Sequence, residues 1–203
     1  GAAPSVWHDY CRRRGRIKDG SNGDVACAHY RLWPADVKQM ARLGLSAYRF
    51  SVAWPRVCPE PGRVNPRGLD FYSRLVDALL EAGIQPFLTL FHWDTPSWAE
   101  RSGGFLRRET LEHLLFYGEA VARALGDRVR HWITINEPVG YAMNGYLFGK
   151  FPPGRRLRLR QGLHAAHHLL LGHSRLVSML HERVPGSRVG IANHCIWVLP
   201  LRP

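Results

Sequence analysis

Short apolar, strand-like runs alternate with longer amphipathic, helix-like runs along almost the whole chain, and few folds tolerate that alternation. Pro34–Leu43 reads as a helix, with Pro34 at its first position, an apolar stripe of Val37, Met40, Ala41 and Leu43, and Gly44 closing it. Ser46–Val52 reads as a strand. Leu69–Ala82 carries Leu69, Tyr72, Leu75, Val76, Leu79 and Leu80 at three- and four-residue steps, which predicts a helix with one buried face. Ile84–Phe91 is the next strand, Arg107–Leu125 a long helix, Arg128–Ile135 a strand, Gln161–Val184 a helix and Arg188–His194 a strand. The Pro/Gly-rich Cys58–Gly68, the stretch 96–104 and Tyr141–Phe151 read as loops, the last with short helical potential. Residues 1–33 show no sustained period, and Asp19–Asp24 is a turn-rich loop.

Strands alternating with helices imply parallel pairing through right-handed crossovers. The fold class is therefore α/β, with about four parallel strands. An open doubly wound sheet is the alternative, but no Gly-x-Gly-x-x-Gly follows a strand. The strand ends favour a partial (β/α)8 TIM barrel: they carry Arg49 or Ser51, His92-Trp93, Asn136-Glu137 and Asn193-His194. Polar and aromatic groups gathered at the C-terminal ends of successive strands are what a barrel site requires. A closed barrel needs eight strands, and four are readable here.

The most informative of these ends is Trp132-Ile133-Thr134-Ile135-Asn136-Glu137-Pro138. A buried strand delivers an amide and a carboxylate, and Pro138, lacking an N–H, stops the ladder. Glu137 beside Asn136 suits a general acid with a substrate-positioning neighbour; the plainer reading is a strand that ends in a polar turn. Arg49 is unusual inside a strand, so either it pairs with a carboxylate inside the barrel or the strand is less buried than its neighbours.

With 203 residues, 45% of them hydrophobic and 22% charged, residues 1–203 read as one globular domain. No apolar run is long enough for a bilayer, and no secretory pattern opens the chain. Cys11, Cys27, Cys58 and Cys195 form no Cys-x-x-Cys pair, so reduced thiols and a cytoplasmic location are expected. The net charge of +12 would fit a nucleic-acid partner, but the arginines are scattered, with the densest group at Arg155–Arg160, and no recognition module accompanies them. A nucleic-acid partner and a membrane are not expected. His164 and His168 stand at a spacing that can share a metal, but no acidic residue joins them, and neither a metal nor another cofactor is expected. Trp7, Trp98, Trp132 and Trp197 read as core or loop anchors; Trp93 and Trp54 are placed on the pocket side.

Several motifs, in one order, resemble the N-terminal half of family-1 glycoside hydrolases, the β-glucosidase and β-galactosidase group. They are Pro4-Ser5-Val6-Trp7, Gly23–Tyr30, Tyr48–Arg56, Val64–Tyr72, Thr89–Pro96, Thr134–Pro138, Pro152-Pro153-Gly154 and Ala165–Leu170. The resemblance implies a retaining β-glycosidase acting on a β-glucoside or related oligosaccharide. Glu137 would be its general acid/base, and Asn136 would bind the sugar 2-hydroxyl. His92 and Trp93 would contact the sugar, and Arg49 would lie near the nucleophile. Retention needs two carboxyl groups roughly 5 Å apart, and an acid kept protonated by its surroundings.

Departures from the family pattern are equally specific. The nucleophilic glutamate, in its Thr/Ser-Glu-Asn-Gly context, is absent, as are the first barrel strand and its sugar-binding glutamine. Ala28 replaces a usual acidic residue, and Val139 stands where an aromatic platform is common. Asp94 reads as a structural turn residue, and Glu100, Glu109, Glu112 and Glu119 lie in a loop or on a helix outside the barrel. The alternative to an enzyme is therefore a noncatalytic truncated half-barrel that at most binds sugar. Open sheet edges could also pair with a second copy.

Overall fold

The computed structural model describes residues 1–195, so Trp197 lies outside the described residues. Among these, four parallel strands form one sheet: β1 (Ala47–Ser51), β2 (Gln85–Phe91), β3 (His131–Asn136) and β4 (Arg188–Ala192). The spatial order is β1-β2-β3-β4, the same as the chain order. Right-handed crossovers that always advance in one direction leave every connecting helix on the same face of the sheet. There is no point at which the order reverses, so the doubly wound alternative is excluded and the sheet is an arc of a (β/α) barrel.

The connecting helices are α4 (Pro66–Glu81), α6 (Glu109–Leu125) and α8 (Leu159–Arg183); α2 (His29–Arg42) precedes β1, and shorter helices α1 (Val6–Cys11), α3 (Trp54–Val57), α5 (Ser97–Arg101) and α7 (Pro138–Ala142) lie at the strand ends and in the N-terminal segment. A 3-10 turn (Gly104–Leu106) and a π turn (Met143–Leu147) complete the loops. No helix among the described residues is long and apolar enough to cross a membrane.

The two faces of the sheet differ. Phe50, Leu88 and Trp132 align across β1, β2 and β3 and are buried beneath the helices. The adjacent rows, Arg49–Phe87–His131–Arg188 and Ser51–Thr89–Ile133–Gly190, point to the other face. There Arg49, Ser51, Arg188 and Gly190 are exposed, and Phe87, His131 and Ile133 are half-buried. Phe87 and His131 stack with their rings 4.2 Å apart. Arg49 thus stands on the inner face of β1, where its neighbours are polar.

Several boundaries differ from the sequence expectation. α2 begins at His29, not Pro34, because Ala28 turns left-handed (φ 51°) and its carbonyl accepts the N–H groups of Arg31 and Leu32. Pro34 then lies inside the helix, where its missing N–H forfeits one bond. Leu43 and Leu80 are exposed and do not join their stripes. α1 was hidden in an aperiodic region, although Ser5 is an N-cap whose hydroxyl accepts from the His8 N–H. Its segment is pinned by Val6 N–H to Thr95 O (2.9 Å) and Ser97 N–H to Pro4 O (2.9 Å).

The outer core is continuous from α4 through α6 to α8. Gly118 makes the last contact possible, since a Cβ there would lie 2.6 Å from Leu176 Cδ2. Tyr117 crosses this core fully buried and its hydroxyl bridges Val52 O (2.7 Å) and Leu90 O (2.9 Å), the carbonyls just past and near the ends of β1 and β2. Tyr117→Phe removes the single O–H that these two carbonyls share, without opening a large cavity. It is expected to lower stability by roughly 1–3 kcal/mol, read in urea as a lower midpoint at unchanged slope.

Candidate active site

The inward residues of β3 do not keep a strict alternation. Pairing with β4 runs Ile133 to Gly190 and then Asn136 to Ala192, a register break one residue wide. Thr134 points outward, its Oγ1 2.6 Å from His173 Nδ1 of α8. Ile135 also faces α8, near Gly172. The extra residue between Ile133 and Asn136 is the geometry of a bulge, and it re-aims the Asn136 side chain inward. Asn136 Oδ1 accepts from Arg49 Nη2 at 2.5 Å, and Arg49 Nε donates to Thr89 Oγ1 at 3.0 Å. Three neighbouring strands are thereby tied on their inner side.

Glu137 follows in a left-handed conformation (φ 45°, ψ 65°) as the cap of α7, its N–H donating to Ala192 O at 2.7 Å. Trp93, just past β2, is also left-handed (φ 72°), and its indole N–H donates to Asn136 O at 2.6 Å. Bulky residues at positive φ cost roughly 1–3 kcal/mol each and persist where the surroundings over-determine them, as at strand ends that carry function. Trp93 is held between Tyr141 (6.2 Å between ring centroids) and Phe151 (5.8 Å). Gly140 keeps space for both groups: a Cβ there would come within 3.1 Å of Glu137 Oε2 and 3.4 Å of Trp93 Cζ2.

His92 stands beside Trp93, with rings 6.1 Å apart and edge-on. Burial and the positive charge of Arg49 hold its imidazole below the ordinary value, while Glu137 pulls the other way. The neutral ring is therefore favoured at neutral pH, with one nitrogen free to accept. His194 Nδ1 lies 3.8 Å from Glu137 Oε2, a contact that sequence reasoning placed only as a strand-end residue. All five sequence-derived candidates, Arg49, His92, Trp93, Asn136 and Glu137, thus gather at one end of the sheet. A groove of about 670 Å³ is lined by two of them, Arg49 and His92, together with Thr89, His29, Asp36 and Tyr48.

One sequence expectation is corrected. Trp54 is fully buried and stacks 5.5 Å from Tyr117, so it belongs to the core and not to the pocket side. His168 Nδ1 lies 2.8 Å from Phe105 O, which places that ring against the 3-10 turn. Asp94 is structural, as read: its Oδ2 accepts from the Trp54 N–H at 2.9 Å.

A parallel barrel arc with its polar groups at the strand ends defines a (β/α)-barrel protein with a strand-end site. All of residues 1–203 match the glycosyl hydrolase family 1 model. The chain is 44% identical over 192 residues to β-glucosidase A of Thermotoga maritima, covering 94% of this chain and 43% of that protein. β-Glucosidase 42 of Arabidopsis thaliana is 40% identical, covering 97% and 42%. Among solved structures, the T. maritima β-glucosidase in complex with glucoimidazole superposes with a TM-score of 0.91 at 44% identity, covering 94% of this chain and 43% of that one. In complex with galacto-hydroximolactam the same enzyme gives 0.96 at 42% identity, covering 100% and 46%. The chain belongs to glycosyl hydrolase family 1. It spans less than half the length of these relatives.

Burial pushes the Asp94 carboxyl up to about 7. An unfolded aspartate loses its proton near pH 4, the folded one near 7, so stability falls as pH rises across that window. Asp94→Asn keeps the acceptor for Trp54 and removes the charge. It is expected to be more stable than the parent at pH 8, by roughly 1–4 kcal/mol, with the difference vanishing below about pH 4. Urea denaturation at pH 4 and pH 8 checks the sign.

Proposed function

We propose that this chain forms the acid/base half of a retaining β-glycosidase that hydrolyses a β-glucoside or related oligosaccharide. The observation that carries the reading is the single strand end that turns Asn136 toward Arg49 and presents Glu137 beside His92 and Trp93. In this role Glu137 protonates the departing glycosidic oxygen and later takes the proton of the incoming water. Asn136, its Oδ1 held by Arg49, has its amide N–H groups free for a sugar hydroxyl that gains charge in the transition state. The Trp93 ring offers an apolar face to the sugar, and neutral His92 a polar edge. The attacking carboxylate belongs to residues beyond these 203, on strands that continue the arc from β1 and β4. The unpaired thiols fit work in a reducing, cytoplasmic compartment.

A second reading is a noncatalytic half-barrel that at most binds sugar. It is favoured by where the other carboxylates near the site are engaged: Asp94 on the Trp54 N–H, Asp36 on His29 at 2.5 Å, and Glu100 toward Arg155 at 3.8 Å. The edges of β1 and β4, unpaired among the described residues, also leave room for a second copy. Size-exclusion chromatography that finds only monomer removes that pairing.

Hydrolysis of 4-nitrophenyl β-glucoside separates the two readings. The protein assembled with the remaining strands of its barrel is expected to turn over, and Glu137→Gln to lose about 10²–10⁴-fold in kcat/KM. An assembled barrel that is folded and inert, or a Glu137→Gln variant as active as its parent, overturns the proposal.

A further inference from the structure

The first half of α8 carries three histidines, His164, His167 and His168, that the strand-end site does not use. The spacing of His164 and His168 is by itself a weak sign of a metal site. A tertiary contact strengthens it. His168 Nδ1 lies 2.8 Å from the carbonyl oxygen of Phe105. A carbonyl only accepts, so Nδ1 carries the hydrogen and the lone pair of the neutral ring sits on Nε2. That is the tautomer a metal ligand needs, held by the kind of backbone contact that orients ligating imidazoles. Phe105 is fully buried in the 3-10 turn, so the anchor belongs to the core.

His164 stands one turn before His168, with the ring centroids 6.3 Å apart. It is exposed, so its ring can swing toward His168 Nε2 without any movement of the backbone. Two imidazole nitrogens that share an ion at about 2.0–2.1 Å each stand roughly 3 Å apart. The His167 ring is 5.8 Å from that of His168, but neighbouring residues point about 100° apart round a helix. No three ligand groups converge among the described residues, so the shell is two imidazoles and water. The pair lies on the α6 side of α8. Arg175, farther along the same face, is neutralised by Glu112 of α6 at 2.6 Å. The exposed apolar stripe of Leu159, Leu163 and Leu170 runs along a different face. Imidazole suits borderline ions such as Zn²⁺, Ni²⁺ and Cu²⁺, whereas Mg²⁺ and Ca²⁺ favour oxygen ligands.

We propose that His164 and His168 form a two-histidine site for a borderline divalent transition ion, with water completing its shell. The test is isothermal titration calorimetry with NiCl₂ against MgCl₂, on protein made without a histidine tag. One Ni²⁺ per chain is expected in the tightest class of sites, and Mg²⁺ to show no such class. CuCl₂ is expected to bind the same site more tightly than NiCl₂, following the general order for nitrogen ligands. His164→Gln removes an exposed ring, so it is expected to lose the tight class at unchanged Tm. His168→Gln is expected to lose it as well, and His167→Gln to keep it. Three results each overturn the proposal: no saturable Ni²⁺ binding, a tight class that survives His164→Gln, or one that disappears in His167→Gln.

Discussion

The site depends on one hydrogen bond that spans three strands. Arg49 on β1 reaches past Thr89 of β2 to the side-chain oxygen of Asn136 on β3. On the inner face the guanidinium lies within reach of two polar groups, the Thr89 hydroxyl and the Asn136 amide. The bond also requires Asn136 to point inward, which a regular period-two strand would not allow in step with Ile133. The bulge in β3 supplies the missing half-turn, and the outward pair Thr134 and Ile135 is paid for by contacts with α8. Once Asn136 is held, its backbone carbonyl is in place for the Trp93 indole, and Glu137 is the next residue on the chain.

The outer layer gives that arrangement its rigidity. Helices α4, α6 and α8 bury one continuous apolar face against the sheet, and Tyr117 ties the carbonyl ends of β1 and β2 from behind. Strain is concentrated on the other side, in the left-handed Trp93 and Glu137. A stiff helical shell under two strained strand ends is a division of labour well suited to holding polar groups in fixed positions.

Long periodic segments were legible from residues alone. Leu75, Val76 and Leu79 on α4, and Leu111, Leu114 and Val121 on α6, are buried where their spacing puts them. Glu137, Asn136, His92, Trp93 and Arg49 were legible as candidates because each falls at or near the end of an apolar run. Trp54 was misjudged because a tryptophan after a strand looks the same whether its ring faces a pocket or, as here, Tyr117. The start of α2 was misjudged because Pro34 suits a first turn, and nothing local announces that Ala28 will turn left-handed. The partners of His168 and His173 lie 63 and 39 residues away in the chain, beyond any spacing argument.

Local order therefore determined the alternation of strands and helices, the parallel sheet, and the strand end on which Glu137 sits, because hydrophobic period and the missing N–H of proline act over a few residues. Only the tertiary structure decided that Arg49 holds the Asn136 amide and that Asn136 turns inward. Those outcomes depend on which distant groups packing brings within about 3 Å, and hydrogen bonds are too short-ranged to be fixed before the strands are side by side.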